Sequence, residues 1–114
     1  MRDYVEAVKS GNHRALGWPD RAYSVSKVGV SALSRIQQRG FDADDREDIV
    51  VNAVHPGWIA TDMTLYRGDL TPERGAQAPL YLALLPKYTD IKGKYVWHDS
   101  TLIDWVNDAL PNIH

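Results

Sequence analysis

Ile49-Val50-Val51-Asn52-Ala53-Val54 is a nearly continuous apolar run, rich in β-branched residues, that breaks at Pro56-Gly57. A strand with one wet face alternates polar and apolar side chains, whereas a strand covered on both faces does not. The run therefore predicts a parallel strand over 49–54, packed between helices and ending in a tight bend. Upstream, Ala22, Val25, Gly29, Ala32, Leu33 and Ile36 recur at three and four, which predicts a helix over 20–39 with one buried face. Gly40 stands where a cap glycine belongs, and the charged stretch 42–48 reads as a solvated loop. Downstream, Thr71-Pro72-Glu73 supplies a capping residue, a proline suited to a first helical turn and an acid for the positive helix end. A second helix should run from there to about residue 85, kinked where Pro79 removes an amide. Gly93-Lys94-Tyr95-Val96-Trp97 predicts a short last strand, followed by an irregular tail through Trp105 to His114. Before all this, Tyr4, Val5 and Val8 give a short amphipathic start, and a polar connection closes at Trp18-Pro19-Asp20. Helix, strand, helix, strand is the order of a parallel α/β sheet with right-handed crossovers.

With 114 residues, 44% of them hydrophobic and 25% charged, the chain makes one domain over 1–114. Thirteen Lys and Arg against 15 Asp and Glu give a net charge of -2, so no global field favours nucleic acid or an anionic membrane. The absence of cysteine excludes disulfides, thiolate nucleophiles and cysteine zinc sites. Apolar runs fall far short of the roughly 20 residues a bilayer requires. Met1-Arg2-Asp3-Tyr4 opens no signal peptide, so a cytoplasmic location is expected. His13, His55, His98 and His114 lack paired ligand spacing, and Arg46 interrupts the acidic loop at Asp42, Asp44 and Asp45, so no metal is expected.

Tyr23 and Lys27 are four apart near the start of the first long helix and share one face. An ammonium beside a phenol favours the phenolate, which suits a proton donor or acceptor near neutral pH. Spacing alone does not separate this from an ordinary helix surface. Tyr88 and Lys92 repeat it in a stretch read as surface loop.

Context separates the two pairs. Tyr23-Ser24-Val25-Ser26-Lys27-Val28-Gly29-Val30, followed by Val51-Asn52-Ala53-Val54-His55-Pro56-Gly57-Trp58-Ile59-Ala60-Thr61-Asp62-Met63, resembles the short-chain dehydrogenase/reductase family. Gly17-Trp18-Pro19, Leu33-Ser34-Arg35-Ile36 and Pro79-Leu80-Tyr81-Leu82-Ala83-Leu84-Leu85-Pro86 narrow the likeness to its carbonyl reductases. The resemblance implies a Rossmann-type, doubly wound parallel sheet, of which this chain is the C-terminal part without the N-terminal βαβ units. It implies NADPH (NADP+) as cofactor and the reduction of ketones, aldehydes or quinones. Tyr23 would then give a proton to the substrate carbonyl, and Lys27 would bind the nicotinamide ribose. Pro56, Gly57, Ile59, Ala60 and Thr61 would contact the nicotinamide, with Ile59 and Thr61 bonding its carboxamide. Trp58 would border the substrate pocket, or else simply cover the sheet edge. Residues 1–17 resemble the end of an insertion found in monomeric carbonyl reductases, which implies a monomeric parent protein.

A Gly-rich turn after a first strand, which would bind the cofactor phosphates, is absent, and Gly11 and Gly17 do not form one. The family's catalytic Ser and Asn have no counterparts here either. Two readings follow: the catalytic part of a reductase, or a non-catalytic remnant that uses its open edge as an interaction module. Two parallel strands with one crossover leave an apolar edge uncovered. The chain alone is therefore expected to be marginally stable or to self-associate; a monomeric sample that melts cooperatively in calorimetry would refute this.

Overall fold

The computed structural model describes residues 1–105, 107 and 108. They fall into two units, one over Met1–Leu33 and the other from Ser34 onward. The end of the expected tail, with His114, lies outside the described residues.

In the first unit, helix α1 (Arg2–Lys9) buries Tyr4 and Ala7, while Val5 and Val8 of the expected apolar face stay exposed. Tyr4 meets Trp18 edge to face at 5.4 Å. The connection is fixed by Asp20, whose carboxylate lies 2.7 Å from His13 Nε2 and 2.8 Å from Arg14 Nε. Hydrogen bonds from Arg14 and then His13 hold its pKa down at about 2.

Helix α2 (Ala22–Asp42) starts near its expected position but runs three residues past the expected end. Gly40 is therefore helix interior and not a cap. Phe41 is half-buried beyond it, and the Gln38 amide donates to Asp42 Oδ1 at 2.9 Å, so the last turn has partners that keep it helical. Of the expected buried face, Val25 is buried and Gly29 and Ala32 are half-buried; Ala22, Leu33 and Ile36 are exposed.

The predicted strand over 49–54 narrows to β1 (Ala53–Val54), because only these residues find a ladder partner. That partner is β2 (Tyr95–Val96), parallel and in register Ala53 with Tyr95 and Val54 with Val96. The tail, expected to be irregular, forms β3 (Leu102–Ile103), antiparallel to β2. Asp99 Oδ1 accepts from the Thr101 amide at 2.9 Å and closes the turn between them. The described sheet is thus small and mixed, in the order β1-β2-β3, where a doubly wound parallel sheet was expected. Both faces of 49–54 are only half-covered.

Thr71 caps α3 (Pro72–Gly75) as expected, its side chain accepting from the Arg74 amide. The single helix expected to residue 85 is two, with α4 (Gln77–Ala83) following a break at Ala76. Pro79 explains the break, since its missing amide is the one that would bond the carbonyl of Gly75.

Side chains replace the ladder where β1 lacks one. Gln38, 3% exposed, accepts from the Val51 amide at 2.6 Å and donates to the Ile49 carbonyl at 3.1 Å. Asn52 donates to the Ile91 carbonyl at 2.7 Å and accepts from the Lys94 amide at 2.9 Å. Beyond β1, the chain after the bend is clasped by two glycines. A Cβ on Gly68 would stand 2.1 Å from the carbonyl carbon of Ile59, and one on Gly75 would stand 1.9 Å from the end of the Ile59 side chain.

Two outcomes follow. Gln38→Ala leaves a half-buried amide and carbonyl without their side-chain partner and should cost about 1 kcal/mol in urea unfolding; an unchanged midpoint would refute that role. Gly68→Ala pushes a methyl against backbone that cannot yield and should cost about 1–3 kcal/mol. Gly75→Ala meets the Ile59 side chain rather than its backbone and should cost less, so equal losses would argue against the clasp.

Candidate functional site

The helical register brings Tyr23 and Lys27 together as their spacing predicts. Lys27 Nζ lies 5.5 Å from the Tyr23 ring centroid, over its face. The Tyr23 side chain is 70% exposed, and its hydroxyl has no hydrogen-bond partner among the described residues. Ser26 and Ser31 donate back to the carbonyls of Tyr23 and Lys27, at 2.7 and 3.1 Å, and fasten both residues to the helix. Tyr88, by contrast, sits in a loop with a φ of +59°, its amide bound to Asp48 Oδ1.

In the second unit the bend springs from the end of β1. The His55 amide donates to the Val96 carbonyl at 2.8 Å, after which the chain leaves the sheet. Gly57 turns it with a φ of +87°, in the left-handed region that favours glycine. A Cβ there would lie 2.4 Å from the Leu70 side chain, so size and conformation both require glycine. Pro56 precedes this turn and is exposed; Ala60 and Thr61 follow it and are half-buried.

Ile59 then forms an isolated parallel bridge with Leu70. The flanking groups make its bonds: the Ala60 amide donates to the Leu70 carbonyl at 2.8 Å, and the Leu70 amide donates to the Trp58 carbonyl at 3.1 Å. In such a bridge the bracketed residue points its own N–H and C=O the other way. The Ile59 carbonyl accepts from the Thr64 hydroxyl at 2.6 Å. The Ile59 N–H has no partner among the described residues. Thr64 also accepts from the Thr61 amide at 3.0 Å, so one hydroxyl organises both residues expected to bond a carboxamide. The Ile59 N–H, two residues past Gly57, is left to donate to the carbonyl oxygen of a flat primary amide and so fits a nicotinamide, whereas the Thr61 N–H is already taken by Thr64.

Trp58, 45% exposed, borders a cavity of about 100 Å³ together with His55, Asp69, Leu70, Trp97 and His98. The His55 ring stacks on Trp97 at 4.3 Å, and its Nδ1 accepts from the Gly57 amide at 3.0 Å. Burial, and after it the neighbouring His98, pushes the His55 pKa below the ordinary imidazole value of 6.5; its own backbone carbonyl pulls weakly the other way. Burial likewise raises the Tyr95 phenol, which packs at a tilt against Trp97.

The structure thus groups Tyr23 with Lys27 in one unit, and Pro56, Gly57, Trp58, Ile59, Ala60 and Thr61 in the other. Sequence reasoning missed Thr64, Leu70 and His55, which hold the bend. The Thr61-to-Thr64 spacing, characteristic of a cap, was an available signal. Among the described residues no three His, Asp or Glu side chains gather as a metal site would need, and no helix is long and apolar enough to cross a membrane.

No family model matches the chain. Individual proteins do. Carbonyl reductase [NADPH] 1 of Rattus norvegicus is 48% identical over 87 residues, or 75% of this chain and 31% of that protein. The Oryctolagus cuniculus protein of the same name is 51% identical over the same shares. That of Bos taurus is 47% identical over 96 residues, 83% of this chain and 34% of its own length. The chain therefore spans about a third of the relatives it matches. Identity near one half across three quarters of the sequence is far beyond what two short motifs would give, and over the third of their length that it spans, the chain is similar to these carbonyl reductases.

Proposed function

We propose that this chain supplies the proton-donor pair and the nicotinamide loop of an NADPH-dependent reductase of ketones, aldehydes or quinones. In this reading residues 1–114 are the C-terminal part of one Rossmann-fold domain, in a monomeric cytoplasmic protein whose sheet is completed by preceding βαβ units. The observation that carries it is the Tyr23 phenol, exposed and without a hydrogen-bond partner among the described residues, with the Lys27 ammonium one helical turn away.

Bound NADPH supplies the hydride that reduces the carbonyl carbon. Tyr23 donates its hydroxyl proton to the carbonyl oxygen, so that the product leaves as an alcohol and Tyr23 is left as phenolate until water returns the proton. Lys27 hydrogen-bonds the nicotinamide ribose, and its charge favours the phenolate. The Ile59 N–H and Thr61 bond the carboxamide, while Pro56, Gly57 and Ala60 let the ring lie close to backbone. Trp58 gives the substrate an apolar wall.

Four exposed apolar residues on α2, Val28, Val30, Leu33 and Ile36, favour a second reading. In it the chain is a non-catalytic interaction module that keeps part of a dinucleotide fold. NADPH oxidation with a quinone or an aromatic ketone separates the two. The reductase reading expects turnover that Tyr23→Phe lowers about 100-fold or more while NADPH still binds. Neither turnover nor NADPH binding when the preceding βαβ units are supplied would leave the interaction module.

A further inference from the structure

The Gly57 amide donates to Nδ1 of His55, two residues back, at 3.0 Å. An imidazole nitrogen accepts only when it carries no proton, so the neutral ring must hold its hydrogen on Nε2. That makes the bond conditional on the ring's charge. A second proton would set an N–H against the Gly57 N–H across the same 3.0 Å, turning attraction into repulsion.

The ring has little freedom to turn aside. It stacks on Trp97 at 4.3 Å with an interplanar angle of 21°. Trp97 is 4% exposed and is itself held by His98 at 5.8 Å on one side and Tyr95 at 6.4 Å on another. The charged and titratable groups around His55 are His98, which opposes a second positive charge; Asp69 on the cavity wall, a carboxylate that would favour one; Asp99, next to His98; and the Tyr95 phenol behind Trp97. With the ring clamped, the backbone at Gly57 is what must yield, and that backbone carries Pro56 on one side and Trp58 and Ile59 on the other.

We propose that His55 is a positioning residue for this bend: as neutral imidazole it latches the Gly57 amide, and protonation releases the latch. Its consequence for cofactor binding rests on the nicotinamide reading above; the latch itself does not. Depression of the His55 pKa by burial keeps the latch closed at neutral pH. The sign is clear: the folded chain binds this proton less readily than the unfolded chain. The contribution is fully present above 6.5 and is lost as pH falls below it towards the lower folded value.

The test is NMR on the whole chain, following the imidazole nitrogens and the Gly57 amide from about pH 8 to about pH 5. The expected result is the Nε2–H form at high pH, with the Gly57 amide resonance moving on the same midpoint as His55, below 6.5. In His55→Asn the side-chain oxygen can accept from the same amide but does not titrate, so that resonance should stay level. An Nδ1–H form in the unmodified chain at high pH would overturn the proposal without any variant, as would an unchanged Gly57 titration in His55→Asn. NADPH affinity should fall about tenfold across the same range in the unmodified chain and stay level in His55→Asn. The latch is decided by the Gly57 and His55 titrations alone; NADPH affinity that, with the preceding βαβ units supplied, does not follow the His55 midpoint would defeat the nicotinamide reading and leave the latch.

Discussion

The second unit depends on a short parallel pairing in which residues 51–55 hand their backbone groups to 93–96. The Gly93 amide reaches the Val51 carbonyl at 2.9 Å, Ala53 reaches Lys94 at 2.9 Å and His55 reaches Val96 at 2.8 Å. Parallel bonds are evenly spaced and slightly weaker per residue than antiparallel ones, and a ladder this brief would fray if its ends were open. They are not open, because Gln38 and Asn52 supply side-chain amides that imitate two further backbone partners. A primary amide carries two donors and an acceptor on one flat group, so it satisfies an N–H and a C=O together.

From the end of that pairing the bend inherits its position. Its internal bonds are all local: Thr64 to Ile59 and Thr61, Leu70 to Trp58 and Ala60, His55 to Gly57. Close approach of Gly68 and Gly75 to Ile59 leaves that residue no space to shift towards them. What the fold leaves uncommitted then becomes informative. Among the described residues the Ile59 N–H is held in place without a partner, and so is the Tyr23 hydroxyl on its helix. Unspent donors on fixed backbone are where a ligand gains hydrogen bonds at little ordering cost.

Much of this was legible in the residues. The three-and-four recurrence located α2, Thr71-Pro72 located α3, and Pro79 announced the break that appears at Ala76. Position was harder than type, because pairing is not local. Nothing within 49–54 says that only Ala53 and Val54 will form ladder pairs. Gly40 failed as a cap since Phe41 and the Gln38 bond to Asp42 outweigh a glycine's local preference. The β2–β3 turn was readable after all, with Asp99-Ser100 between two short apolar runs, but its strands are too short to stand out. Gln38 and His55 gave no signal: each matters through a partner eleven or more residues distant or through a ring charge, and neither is a sequence pattern.

The Tyr23–Lys27 pair shows how the exposed arrangement can serve the proposed reaction. An ammonium over an exposed ring gains about 0.5–1 kcal/mol from the π-face. A hydrogen bond from a charged donor to a hydroxyl is worth about 1.5–3 kcal/mol. A ribose hydroxyl placed within reach would therefore draw Lys27 off the ring face. The ring contact thus parks the charge beside Tyr23 without committing it, and cofactor binding would move the ammonium from the face of the phenol towards the sugar. Helix geometry fixes the two Cα positions, so only the lysine's four-carbon stem must move, and the phenol stays where the proton is needed.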